Sequence, residues 1–238
     1  MLVNTKAIVL TSIKYGEADL IVKCYTDFGI KTYMLKKIFR SKSNKLKVGY
    51  FQPLSQLDII ANHNDKGNLN SIREARASYI YTSIPNNIIK QTIVMFLSEV
   101  ISGAIREEDK NPALFNYIST TLQWLDTHDH TTNFHLLFLL NLTKHLGFYP
   151  KINNKEAYYF NLLEGQFSDS KPDQNYISGE NLNAFKTLIG TNFDVLEKLK
   201  FNARSRQMIL EFLVSYYELH LPGFRRPKSL SILKEIYK

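Results

Sequence analysis

The chain has 238 residues, 44% hydrophobic and 22% charged, so it can bury a core in one or two domains and is unlike a disordered or fibrous polypeptide. Apolar runs such as residues 136–140 are far below the roughly 18 residues of a bilayer span, and the start has no long apolar signal region, so a cytoplasmic protein is expected; the single Cys24 excludes an internal disulfide and a multi-cysteine zinc site. The net charge of +8 is concentrated near the start: residues 1–50 hold ten Lys or Arg against three acids, and the other 188 hold twenty against nineteen.

From residue 6 to about residue 72 the signals are those of short strands. In Asp19–Thr26, Leu20, Val22 and Cys24 alternate with Ile21, Lys23 and Tyr25, the period of two of a half-buried strand. Asp27-Phe28-Gly29 reads as a three-residue hairpin loop with Gly29 in its left-handed position. That loop pairs Thr26 with Ile30, Tyr25 with Lys31 and Lys23 with Tyr33, so two lysines and two tyrosines share the face turned away from the core. Residues 36–47 carry Lys36, Lys37, Arg40, Lys42, Lys45 and Lys47 with no acid and few large apolar groups, which predicts a mobile basic loop. Further strands are expected at 50–52, 54–61 and 69–72, with a polar turn at 62–68. Five short strands in this span suggest a small barrel.

After Arg73 the period changes to helical. Ile89, Ile93, Phe96, Leu97 and Val100 recur at that spacing, as do Leu114, Ile118, Leu122 and Leu125, then Phe134, Leu137, Phe138 and Leu142. Residues 148–178 are irregular, with a short hairpin expected around 158–167. Helical spacing returns at Leu182, Phe185 and Leu188, at 193–199 and 208–217, and at Leu230, Leu233 and Ile236. The fold class is therefore α+β, a five-stranded barrel followed by a helical domain.

Motifs of phosphate loops, dinucleotide sites, zinc proteases and serine hydrolases are absent from the sequence. Asp126, His128, Asp129, His130 and His135 offer nitrogen and oxygen ligands in ten residues, which suits a metal-dependent hydrolase or an ordinary polar loop. Glu107, Glu108 and Asp109 suit a helix start through its dipole. The basic and aromatic face is different in kind. A nucleic-acid strand needs cations along its phosphates and flat side chains for its bases, and Lys23, Tyr25, Lys31 and Tyr33 offer both beside the basic loop. The competing arrangement packs Tyr25 and Tyr33 under the helices while the lysines solvate an edge. Arg204, Arg206, Arg225, Arg226 and Lys228 form a second basic group beside Phe212, Tyr216 and Tyr217, able to capture an acidic peptide tail or to cap and solvate a helix end.

The segment Lys6-Ala-Ile-Val-Leu-Thr-Ser-Ile-Lys-Tyr-Gly-Glu-Ala-Asp-Leu-Ile-Val22, the turn Tyr25-Thr-Asp-Phe-Gly29, the basic loop and Phe51-Gln-Pro-Leu54 resemble the bacterial recombination mediator family RecO. So do Tyr216-Tyr-Glu-Leu-His-Leu-Pro-Gly-Phe224 and Lys228-Ser-Leu-Ser-Ile-Leu233 near the other end. The resemblance implies an OB-fold nucleic-acid-binding domain at 1–78 and a helical domain at 79–238. It implies a nucleoid-associated, non-enzymatic DNA repair protein without a cofactor that binds single- and double-stranded DNA and anneals complementary strands. Its implied partners are RecR and the acidic tail of the single-strand-binding protein, with RecA loaded indirectly; the alternative is an OB-fold adaptor for RNA or an acidic protein tail. DNA contact is implied at Lys31, Lys36, Lys37, Arg40, Lys42, Lys45 and Lys47. Many family members carry a four-cysteine zinc element where this chain has residues 148–178, a stretch without cysteine. No metal is expected there, and Tyr158, Tyr159, Phe160 and Phe167 are expected to form an apolar cluster instead.

Overall fold

A computed structural model describes residues 1–40, 46–64, 69–105, 110–154 and 156–237. The chain divides into two compact units, Met1–Thr127 and His128–Lys238. Among the described residues no helix is long and apolar enough to cross a membrane.

The first unit is built on β1 (Leu2–Tyr15), β2 (Asp19–Thr26), β3 (Gly29–Leu35), β4 (Gln56–Asn62) and β5 (Ser71–Tyr79), ordered β3-β2-β1-β4-β5 with antiparallel neighbours. A parallel bridge between Tyr33 and Asn70 closes the sheet. There the Met34 N–H donates to the Asn70 carbonyl at 2.8 Å, and the Asn70 N–H donates to the Thr32 carbonyl at 3.2 Å. The result is a five-stranded barrel of OB type, filled by the inward alternate residues Val3, Ala7 and Val9 of β1, Leu20, Val22 and Cys24 of β2, and Leu57, Ile59 and Ala61 of β4. Ile8 and Leu10 of β1 lie outside that cluster yet are also buried, with α1 (Ile88–Ala104) packed against the strand. Asn87 caps α1 by accepting from the N–H groups of Ile89 and Lys90. α2 (Pro112–Thr127) opens on a proline, whose missing N–H costs nothing at that position.

The structure corrects several sequence-based expectations. Residues 50–52 are not a strand: Val48–Phe51 form a 3-10 turn whose Phe51 is buried in the barrel cluster. A bulky apolar ring can anchor a short loop as well as it fills a strand. The strand period extends beyond Arg73, with β5 reaching Tyr79, which is close to the boundary expected at 78/79; the compact unit continues through α1 and α2. The basic segment after β3 is less free of packing than its composition suggests, because Ile38 is buried and Leu46 is partly buried against the barrel.

The hairpin register also differs by one residue. Gly29 does take a positive φ of 76°, but Thr26 pairs with Gly29, Tyr25 with Ile30, Lys23 with Thr32 and Val22 with Tyr33. The Thr26 hydroxyl accepts the Phe28 N–H at 3.0 Å and donates to the Gly29 carbonyl at 2.8 Å, which tightens the turn. A slip of one residue moves every side chain of the second strand to the other face. Tyr33 therefore points into the barrel while Tyr25 and Lys23 point away from it, so the expected shared face does not exist.

The second unit centres on α3 (Phe134–His145), whose Phe134, Leu137, Phe138 and Leu142 are fully buried. Strands β6 (Tyr159–Asn161), β7 (Gln166–Ser168) and β8 (Tyr176–Ser178) form a small sheet in the order β7-β6-β8, and α4 (Gly179–Ile189), α5 (Ala203–His220) and α6 (Leu230–Ile236) complete the unit. Of the four aromatics expected to cluster in the insertion, Phe160 and Phe167 meet edge to face at 5.1 Å, and Phe185 and Tyr216 join Phe160. Tyr158 is exposed and Tyr159 packs on Tyr176, so those two lie outside the cluster.

Candidate nucleic-acid interface

The two tyrosines proposed as stacking platforms are used by the protein itself. Tyr33 is 0% exposed, and its hydroxyl meets His63 Nε2 at 2.9 Å. Burial pushes its pKa well above the ordinary phenol value, with the neighbouring Cys24 adding to the shift. Tyr25 is 1% exposed; its ring lies 5.9 Å from that of Phe115 in α2, and its hydroxyl donates to the Asn111 carbonyl. Burying a large ring stabilises the fold by about 1.5–3 kcal/mol, which a ring kept open for a ligand forgoes. Lys23 is also occupied: its Nζ donates to the Ser102 carbonyl at 2.9 Å and to the Ser102 hydroxyl at 3.2 Å, and burial lowers its pKa.

The remaining cations are placed differently. Lys31 is half-buried on β3 opposite Cys24. Lys36, Lys37 and Arg40 are exposed in the turn that follows β3, and Lys47 is exposed just before the 3-10 turn. Lys42 and Lys45 lie outside the described residues, as do Glu107, Glu108 and Asp109. What holds the 36–40 turn is its attachment to the β1–β2 hairpin tip. The Lys37 N–H donates to Asp19 Oδ1 at 2.7 Å, the Phe39 N–H donates to the Ala18 carbonyl at 3.2 Å, and Arg40 pairs with Glu17. Lys37 itself has a φ of 55°, a left-handed backbone that a non-glycine residue rarely adopts. These bonds gather Lys36, Lys37 and Arg40 at one end of the barrel, next to Lys14 and the exposed rings of Tyr15 and Phe39. Lys14, Tyr15 and Phe39 were not among the binding residues expected from the sequence. The available signal was position: Tyr15 directly precedes the Gly16-Glu17-Ala18 turn, where a strand end has little protein left to cover it.

Asp126, His135 and Cys24 have structural roles. Asp126 accepts backbone N–H bonds from Thr82, Ser83 and Ile84 at 2.9–3.1 Å. Burial alone would raise its pKa, but these backbone donors outweigh that effect and hold it below the ordinary carboxylate value. His135 is 0% exposed and stacks on Tyr237 at 5.2 Å, and burial, with the nearby Arg206 cation, lowers its pKa to about 3. Among the described residues no three His, Cys, Asp or Glu side chains come together as metal ligands. Cys24 is buried in the barrel, and burial raises its thiol pKa far above the ordinary value.

Of the second basic group, Arg206 donates through Nε to Asn133 Oδ1 and through Nη2 to the Phe201 carbonyl, and lies over the Tyr237 ring. Arg226 is bound by Glu211 at 2.7 Å and Glu218 at 2.8 Å. Arg204 and Arg225 are exposed.

Comparison with known proteins agrees with this architecture. The family description Recombination protein O N terminal matches residues 1–81, and Recombination protein O C terminal matches residues 85–230. A protein named DNA repair protein RecO from Christiangramia forsetii is 48% identical over 238 residues, covering all of both chains. Proteins of the same name from Flavobacterium psychrophilum and Bacteroides fragilis are 44% and 35% identical, again over the whole of both chains.

Proposed function

The chain belongs to the RecO family of DNA repair proteins, and on that premise we propose that it is a recombination mediator that binds single- and double-stranded DNA and anneals complementary strands. In this reading it acts with RecR and the tail of the single-strand-binding protein to load RecA onto coated single strands. The observation that carries the reading is the gathering of Lys36, Lys37 and Arg40, all exposed, at one end of an OB barrel. Annealing needs no bond cleavage. Cations that neutralise the phosphates of two strands lower their repulsion and release counterions, so complementary bases meet more often. The exposed pair between Arg40 and Glu17 is no obstacle, since such pairs contribute about 0–1 kcal/mol and a phosphate can replace the carboxylate.

The test is a Lys36→Ala, Lys37→Ala, Arg40→Ala triple variant compared with the parent protein in strand annealing and in DNA affinity across a salt series. Annealing should slow, and the slope of log affinity on log salt should shrink by about 0.7 for each single-strand phosphate contact removed. Thermal melting should change little, because all three side chains are exposed. Unchanged annealing and an unchanged slope would refute the reading. RNA or an acidic peptide displacing the DNA strand at lower concentration than DNA itself would favour the adaptor alternative.

A further inference from the structure

The hairpin tip of the first unit carries aromatic surface that the fold does not use. Tyr15, at the end of β1, is 55% exposed, and Phe39, in the turn after β3, is 43% exposed. The same unit buries Tyr25 and Tyr33 almost completely. The backbone bond from Phe39 to Ala18 fixes the Phe39 ring beside the tip, and Lys14 Nζ lies 5.6 Å from its centroid. Lys14 pairs with Leu20 and Tyr15 with Asp19, so alternation along β1 sends Lys14 and Tyr15 to opposite faces, and the two rings flank the tip. Around them stand Lys14, Lys36, Lys37 and Arg40, opposed by the carboxylates of Glu17 and Asp19, which already accept bonds from Arg40 and from the Lys37 N–H.

We propose that this tip is a base-stacking site for single-stranded DNA, in which Tyr15 and Phe39 each receive an unstacked base while Lys14, Lys36, Lys37 and Arg40 hold the adjoining phosphates. The assignment deepens the DNA-binding reading and rests on it. A flat ring accepts any base face, and cations spaced around it track a flexible backbone, which together suit a single strand and not a duplex whose bases are already stacked. The cation over Phe39 is on a flexible stem, so it can move to a phosphate as a base arrives. A protein-docking face would call for contiguous apolar area, whereas these rings are interleaved with charge.

The full chain is titrated at fixed salt with three probes of equal length: an oligothymidylate, an abasic deoxyribose-phosphate strand and a duplex. The parent protein should bind oligothymidylate more tightly than the abasic strand. Tyr15→Ala and Phe39→Ala should each lower the affinity for oligothymidylate by roughly five- to a hundredfold while leaving the abasic strand and the duplex unchanged. Tyr15→Trp and Phe39→Trp should keep the preference for bases, and Phe39→Leu should lose it despite retaining apolar bulk. Equal binding of the abasic strand and oligothymidylate by the parent protein would overturn the proposal, as would Ala variants that fold and bind oligothymidylate like the parent, which would leave the rings to a protein partner. Ala variants that weaken all three probes alike would also overturn it. In each of these outcomes DNA binding itself survives; parent protein that bound none of the probes would sink the broader reading as well.

Discussion

Burial of His135 ties the stability of the second unit to pH. The ring is fully enclosed, neither nitrogen has a hydrogen-bond partner among the described residues, and its pKa is lowered to about 3 from an ordinary 6.5. The unfolded chain takes up a proton on this ring below about pH 6.5, while the folded chain does not until about pH 3. The stability held by the neutral ring is thus complete above pH 6.5 and falls as pH drops across that window. At pH 5 the loss is about 2 kcal/mol for this group. A His135→Phe variant keeps an aromatic against Tyr237 and cannot titrate, so its urea midpoint should change less between pH 7.5 and pH 5 than that of the parent. Parallel pH profiles for the two proteins would contradict this account. The sequence showed His135 only as one member of a polar cluster; its burial follows from its place on α3 among Phe134, Leu136, Leu137 and Phe138, a helix apolar on nearly every side.

At the scale of elements, the link between β5 and α1 is held by α2. Asp126 near the end of α2 receives three successive backbone N–H groups from Thr82, Ser83 and Ile84, and the buried Lys90 of α1 donates to the Ser83 hydroxyl and the Asp126 carbonyl. Removing the carboxylate leaves those N–H groups without an acceptor in a poorly hydrated place. An Asp126→Ala variant should therefore lose about 2–4 kcal/mol in urea unfolding, and Asp126→Asn should lose less, because its carbonyl still accepts. The pKa is depressed, so this contribution is present above the ordinary aspartate value of about 3.9 and disappears as pH falls below it. The acid end of the stability profile should flatten in both variants; a parent-like decline below pH 4 would count against the clamp. Helices were legible because their apolar period persists over three or more turns, as in Leu114, Ile118, Leu122 and Leu125, all buried. The hairpin register was not, because Tyr25 and Tyr33 are both buried, one against α2 and the other in the barrel, so their shared aromatic character did not mark which parity is inward.

For the whole molecule, the strand-rich segment expected at 1–78 and the compact unit at 1–127 lead to different physical expectations. The barrel interior is complete without the helices, but Ile8, Leu10 and Tyr25 lie outside that interior and are buried all the same. Phe115 and Asn111 engage Tyr25, α1 packs on β1, and Ser102 holds Lys23. Cutting at residue 78 would return those side chains to water at roughly 1.5–3 kcal/mol each, a sum comparable to the ~5–15 kcal/mol that stabilises a whole domain. It would also remove the whole of the Asp126 clamp. A fragment of residues 1–127 should then melt cooperatively and bind DNA through the hairpin tip, whereas residues 1–78 should show no cooperative transition at the same temperature and should associate through exposed apolar surface. Circular dichroism melting with sedimentation of both fragments decides the matter. A monomeric 1–78 fragment with a sharp transition near that of 1–127 would mean that the helices merely sit on a barrel already stable without them, and the burial of Tyr25 would then carry little of the fold.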